Sequence, residues 1–226
     1  MLFVCLAVAG FSAGAQTVLI PQEPPNLGRL ETKLRAYHDC TGDHGCYTTD
    51  LNRETAEATD ALERLVRANR ASAHPARLAV VLDIDETSLS NWAEIDQADF
   101  AYNAAVWNRW VEEAQAPAIP GTLRFYREAE RLHVAVFFIT GRPESQRAAT
   151  EKNLRDQGYK QWNGLVLRSA AELKLTADVY KAAARGRIVA SGYRIAVNVG
   201  DQRSDLAGAP RAEVSVKLSD PFYFIP

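Results

Sequence analysis

Apolar residues recur along this chain in two rhythms. Leu27, Leu30, Leu34 and Tyr37 follow the spacing of one helical face. After an interruption at Cys40 to Cys46, the stripe Leu51, Ala58, Leu62, Leu65 and Val66 predicts a second helix, capped by Thr48 or Thr49 and ended by His74-Pro75. The rhythm then changes. Short apolar runs at Leu78 to Leu82, Val134 to Ile139, Leu165 to Leu167, Arg194 to Val199 and Val214 to Leu218 read as buried strands. Helical stretches separate them: Ser88 to Pro120, a segment opened by Pro120-Gly121, one from Pro143 to Gly158, and Asp178 to Ser191, stopped by Gly192. Strands alternating with helices predict an α/β fold with a doubly wound, mainly parallel sheet. Residues 16–77 form an N-terminal arm and helical layer, 78–226 the core, and about 88–120 a small helical cap or insert.

Composition alters this picture at its margins. The 226 residues are 47% hydrophobic and 24% charged, ordinary for a chain that buries a real core. A net charge of −2, without a long basic run, argues against a nucleic-acid polymer as partner. Residues 1–15 carry no charge and end in Ala13-Gly14-Ala15, the pattern of a cleaved signal peptide, although no Lys or Arg precedes the apolar stretch. That stretch is too short for a membrane span, so the expected location is secreted or periplasmic. Cleavage leaves Cys40 and Cys46, and an even pair in an exported chain suggests a disulfide. The rival is zinc held by His38, Cys40, His44 and Cys46, a cramped ligand set drawn from one short stretch.

Candidate chemistry collects where strands end. Val80-Val81-Leu82 runs into Asp83-Ile84-Asp85-Glu86-Thr87, and the two acids share a face only if the pleat continues past Asp83; a turn there is the expectation. A second strand ends in Thr140-Gly141-Arg142, and a fourth in Gly200-Asp201 with Asp205 close behind. In a parallel sheet these ends converge on one edge, within reach of Lys181 near the start of the preceding helix. Carboxylates, one hydroxyl beside a glycine, and one ammonium suit a Mg2+-assisted phosphoryl-transfer site. Neither a P-loop nor a Gly-x-Ser-x-Gly elbow occurs. Trp92, Tyr102 and Trp107, in the insert, are candidates for the wall of a substrate pocket.

The ordered set Asp83-Ile84-Asp85-Glu86-Thr87, Thr140-Gly141-Arg142, Lys181 and Gly200-Asp201-x-x-x-Asp205 resembles the four motifs of the haloacid dehalogenase (HAD) superfamily, whose core is a Rossmann-like sheet. More narrowly, Phe137-Phe138-Ile139-Thr140-Gly141-Arg142-Pro143-Glu144 and the tail Pro221-Phe222-Tyr223-Phe224-Ile225-Pro226 look like the secreted acid phosphatase branch, with the class B and class C enzymes and the plant vegetative storage proteins. The resemblance implies Asp83 as nucleophile, forming an aspartyl-phosphate, and Asp85 as proton donor and then base. It implies Thr140, Gly141 and Lys181 on the phosphate, and Asp83, Asp85 (through its carbonyl), Asp201 and Asp205 around Mg2+. The expected substrate is a small phosphomonoester, such as a nucleoside monophosphate. A non-catalytic storage or binding protein on the same fold is the alternative; a Ser in place of Asp83 would have favoured it. The chain departs from the family at Asn91-Trp92, where a Pro-Tyr-like pair is common, which leaves substrate preference open.

Overall fold

The computed structural model describes residues 24–43 and 45–225. Residues 1–15, read as a leader, lie outside them, as does His44. Two helices come first, α1 (Leu27–Asp39) and α2 (Tyr47–Arg70). The core follows in chain order: β1 (Arg77–Leu82), α3 (Trp92–Gln97), α4 (Ala104–Glu113), α5 (Pro120–Arg131), β2 (Ala135–Pro143), α6 (Arg147–Asp156), β3 (Gly164–Arg168), α7 (Ala177–Ala190), β4 (Tyr193–Gly200), α8 (Arg203–Leu206) and β5 (Val214–Lys217).

The strands form one parallel sheet in the order β3-β2-β1-β4-β5. The pleat sorts β1 between two cores. Val80 and Leu82 face α2, α5 and α6, while Ala79 and Val81 face α7. A register shift opposite Ala79/Val80 sets Ile195 against α7 but Val197 and Val199 against the larger core. The strand order reverses between β1 and β4, so the crevice beyond their carboxyl ends lies at the switch point where open α/β sheets bind ligands. Asp83 and Asp201 follow those two ends directly.

Three boundaries differ from the sequence expectation. Helix α2 begins at Tyr47 with Cys46 as its N-cap, ahead of Thr48 and Thr49, because the Cys40–Cys46 disulfide anchors its first turn. That disulfide answers the zinc alternative: His38 hydrogen-bonds Asp39 and stacks on Trp92 at 3.7 Å. Strand β2 runs on through Pro143, and a short 3-10 turn over Glu144–Gln146 delays α6 to Arg147. The excursion between β1 and α5 is pinned at its neck, where Ser90 N donates to Pro117 O (2.8 Å) and Ile119 N to Ser88 O (3.0 Å). At α5, a Cβ on Gly121 would overlap Thr55 Oγ1, so glycine allows α5 to seat against α2. No described helix is long and apolar enough to cross a membrane.

Candidate active site

Strand β1 ends at Leu82, but Asp83 N still donates to Val199 O at 3.0 Å, which carries the ladder one residue further. Parity therefore persists: Ile84 is buried in the larger core, and Asp83 points to the α7 face. A tight turn follows. Ile84 O accepts from the N–H groups of Thr87, Ser88 and Leu89, with Glu86 in the left-handed region at φ 52°. Ser88 Oγ donates to Asp83 O at 2.6 Å. The chain turns as expected, one residue after Asp83.

Lys181 lies on the first turns of α7, below the same edge. Its Nζ donates to Asp83 Oδ1 at 2.6 Å and also pairs with Asp205 Oδ1. All three groups are buried. Asp205 occupies the third position of α8, where its Oδ2 accepts from Gln202 N (2.8 Å) in a capping box. Asp205 thus caps α8 with one oxygen and pairs with Lys181 through the other. Asn198 Nδ2 (2.9 Å) and Arg185 Nη1 (2.6 Å) donate to Asp205 O and fix α8 against β4 and α7. A Cβ on Gly200 would overlap the Asp205 carboxyl group, so only glycine permits this approach.

Carboxylate oxygens of Asp83, Asp201 and Asp205 lie within 4.8 Å of one another. Three buried acids face one ammonium, an excess of negative charge that a hard divalent cation would neutralise. The oxygen-only donor set fits a hard divalent cation. Burial pushes the Asp83 and Asp201 carboxyls well above the usual carboxylate range. Burial alone would depress the Lys181 ammonium, but Asp205 and Asp83 overcome it and raise its pKa. Asp201 is held on both oxygens: Thr87 Oγ1 donates to Oδ1 (2.9 Å), and Gln202 Nε2 (2.8 Å) and Tyr223 OH (3.3 Å) to Oδ2. Tyr223 belongs to the C-terminal tail, which Asp220 also ties to Gln202 Nε2 (2.7 Å).

The Asp85 carboxylate stands apart from this acidic group and meets Arg142 instead, at 2.6 Å to Nη2 and 3.1 Å to Nε. Arg142 is 3% exposed, and its Nη1 also reaches Thr150 Oγ1. Burial would lower the guanidinium pKa, but Asp85 raises it above its ordinary value. The ion pair with Asp85 places Arg142 beside the other candidate site residues, next to Thr140-Gly141. Thr140 is fully buried and accepts from Arg142 N (3.1 Å), while Gly141 is exposed with open space where a Cβ would stand.

Of the candidate pocket aromatics, Trp92 is half-buried between His38 and Phe222, as part of the packing that joins the N-terminal layer to the tail. Tyr102 is 76% exposed and lies 6.5 Å from the half-buried Trp107 ring. Trp110 is bonded through Nε1 to Asn91 Oδ1 (2.8 Å). A 630 Å3 cavity lined by Arg70, Arg77, His133, Trp162 and Tyr193 opens at the amino ends of the strands, and none of the site residues lines it.

Part of the chain is similar to known proteins. An acid phosphatase of Solanum lycopersicum is 39% identical over 150 residues, 64% of this chain and 58% of that protein. A stem 28 kDa glycoprotein of Glycine max is 36% identical over 150 residues, 64% of this chain and 59% of its own length. Vegetative storage protein 1 of Arabidopsis thaliana is 32% identical over 153 residues, 65% of this chain and 55% of that one. This chain thus spans less than two thirds of these curated relatives. In fold it resembles a class C acid phosphatase from Bacillus anthracis, solved with tungstate bound, at a TM-score of 0.66 and 22% identity over 86% of each chain. The model of the HAD superfamily, subfamily IIIB (acid phosphatase), matches residues 26–226, and to that family the chain belongs.

Proposed function

We propose that this protein is a Mg2+-dependent phosphomonoesterase that works through an aspartyl-phosphate on Asp83. The observation that carries the reading is the buried triad Asp83, Lys181 and Asp205 beside Asp201, at the switch point of the sheet. Asp83 attacks phosphorus with the oxygen that Lys181 does not hold, and the ammonium offsets charge on the nucleophile and the phosphoryl oxygens. Asp85 protonates the departing alkoxide and then takes a proton from the water that hydrolyses the acyl phosphate. Thr140 Oγ1 and the Gly141 N–H, at an open stretch of backbone, bind the transferring group. Asp83, Asp201 and Asp205, with the Asp85 carbonyl, would hold Mg2+, which when bound neutralises the phosphoryl oxygens and lets Asp83 ionise.

Residues 78–226 form the catalytic unit in this reading, and 88–120 the wall over its mouth, with the Tyr102–Trp107 pair as a surface for an organic leaving group such as a nucleoside. The uncharged leader and the Cys40–Cys46 disulfide support an exported protein. The storage reading draws on the vegetative storage protein relatives, but here the nucleophile position keeps its carboxylate. The test is acid quenching during turnover of a phosphomonoester with Mg2+, followed by peptide mass spectrometry. A phosphoryl adduct on Asp83 is expected; turnover with no adduct there, or on another residue, overturns the mechanism.

A further inference from the structure

We infer that Asn91 and Trp110 are positioning residues that aim Asp85 at the leaving group; the inference rests on Asp85 being the proton donor. Asn91 is fully buried at the exit of the turn after β1. Its side-chain Nδ2 donates to Asp85 Oδ1 (3.0 Å) and to Glu86 Oε2 (2.9 Å), and its backbone N–H donates to Glu86 Oε1. Two orientations of that amide would fit the same space, and only one presents a donor to Asp85. Trp110 and the Glu86 carboxylate together select it. An indole N–H is a donor only, so at 2.8 Å it obliges Asn91 Oδ1 to face α4 and the NH2 to face the two carboxylates.

Arg142 grips Asp85 from the other side, through Nε and Nη2. The Asp85 carboxylate is therefore held by donors from two elements: strand β2, and the excursion that carries α4. Asn108, also on α4, accepts from Gln146 Nε2 at 3.0 Å, just beyond the Thr140-Gly141-Arg142 stretch. Helix α4 is thus bonded to Asn91 on one side and to the turn that follows β2 on the other. A general acid acts only within hydrogen-bond reach of the oxygen it protonates, so loss of the Trp110 bond should cost most where protonation matters most.

The experiment uses that difference. Alkyl phosphates expel a poor leaving group that needs the proton, whereas p-nitrophenolate leaves without it. Trp110→Phe keeps an aromatic ring, though a smaller one, and removes the N–H; Asn91→Ala removes the contact to Asp85. For both variants kcat/KM on glycerol 1-phosphate is expected to fall about tenfold or more, and on p-nitrophenyl phosphate less than about threefold. Inhibition by inorganic phosphate stays within twofold of wild type (~2-fold). Trp110→Phe folded by thermal melting, with equal losses on both substrates, overturns the inference and leaves a structural role. Asp85→Asn is run beside them. If it too shows no preference for the good leaving group, the assignment of Asp85 as proton donor has failed; if it does and Trp110→Phe does not, only the positioning role has.

Discussion

Lys181→Met removes the one ammonium from the centre of the site while keeping much of its length and packing. In the wild type, Nζ lies 2.6 Å from Asp83 Oδ1 and is paired with Asp205, and all three side chains are at most 8% exposed. At an effective dielectric constant near 20, one such pair is worth about 6 kcal/mol of gross attraction, most of it offset by desolvation. Removal of a single partner from a buried pair leaves the acids uncompensated and costs about 3–5 kcal/mol. Urea denaturation at pH 7 in EDTA should therefore show Lys181→Met less stable than wild type by that amount. Millimolar Mg2+ should recover part of the loss, because a cation among Asp83, Asp201 and Asp205 supplies the missing charge. The double variant with Asp205→Asn should be more stable in EDTA than Lys181→Met alone, since one of the facing carboxylates has gone. Catalysis should fall by about 10²-fold or more, the scale for losing one electrostatic partner of a transition state. A single variant as stable as wild type in EDTA, with or without added Mg2+, would refute the reasoning about this buried triad.

Other substitutions probe the surroundings of the acids. Gly200→Ala drives a methyl into the Asp205 carboxyl and should cost about 1–3 kcal/mol in chemical denaturation together with weakened Mg2+ binding by calorimetry. Tyr223→Phe removes a donor to Asp201 Oδ2 and should lower Mg2+ affinity by about tenfold or more with little change in melting temperature of the metal-free protein. Burial pushes Asp220 up to about 6, above its unfolded value, so its contribution to stability is present at low pH and is lost as pH rises from about 4 through 6. Asp220→Asn should flatten that part of the melting-temperature profile recorded in EDTA; an unchanged slope would remove Asp220 as its source.

The sheet was legible because its strands are short apolar runs bounded by breakers, and because β1, β2 and β4 each end in polar residues that a parallel sheet must gather at one edge. Asp83, Lys181, Asp201 and Asp205 meet there for that topological reason. What stayed hidden were contacts without a sequence period. Nothing local marks Trp110 as the partner of Asn91, or ties Tyr223 and Asp220 to Asp201, since each pairing depends on how an excursion or a tail folds back. Arg142 was visible but ambiguous, because an arginine beside a glycine reads alike on a surface and in a site until Asp85 is found 2.6 Å away. The start of α2 was misplaced for a covalent reason: the disulfide holds Cys46 at the N-cap, whatever the capping preferences of Thr48 and Thr49.

The most direct measurement is release of inorganic phosphate from p-nitrophenyl phosphate by the folded protein, with Mg2+ and with EDTA, for wild type and Asp83→Asn. Turnover is expected from wild type with Mg2+ alone, abolished by chelation, restored by added metal, and absent in Asp83→Asn. Turnover that survives either EDTA or the loss of Asp83, or none by a folded, Mg2+-supplied wild type, would contradict this expectation.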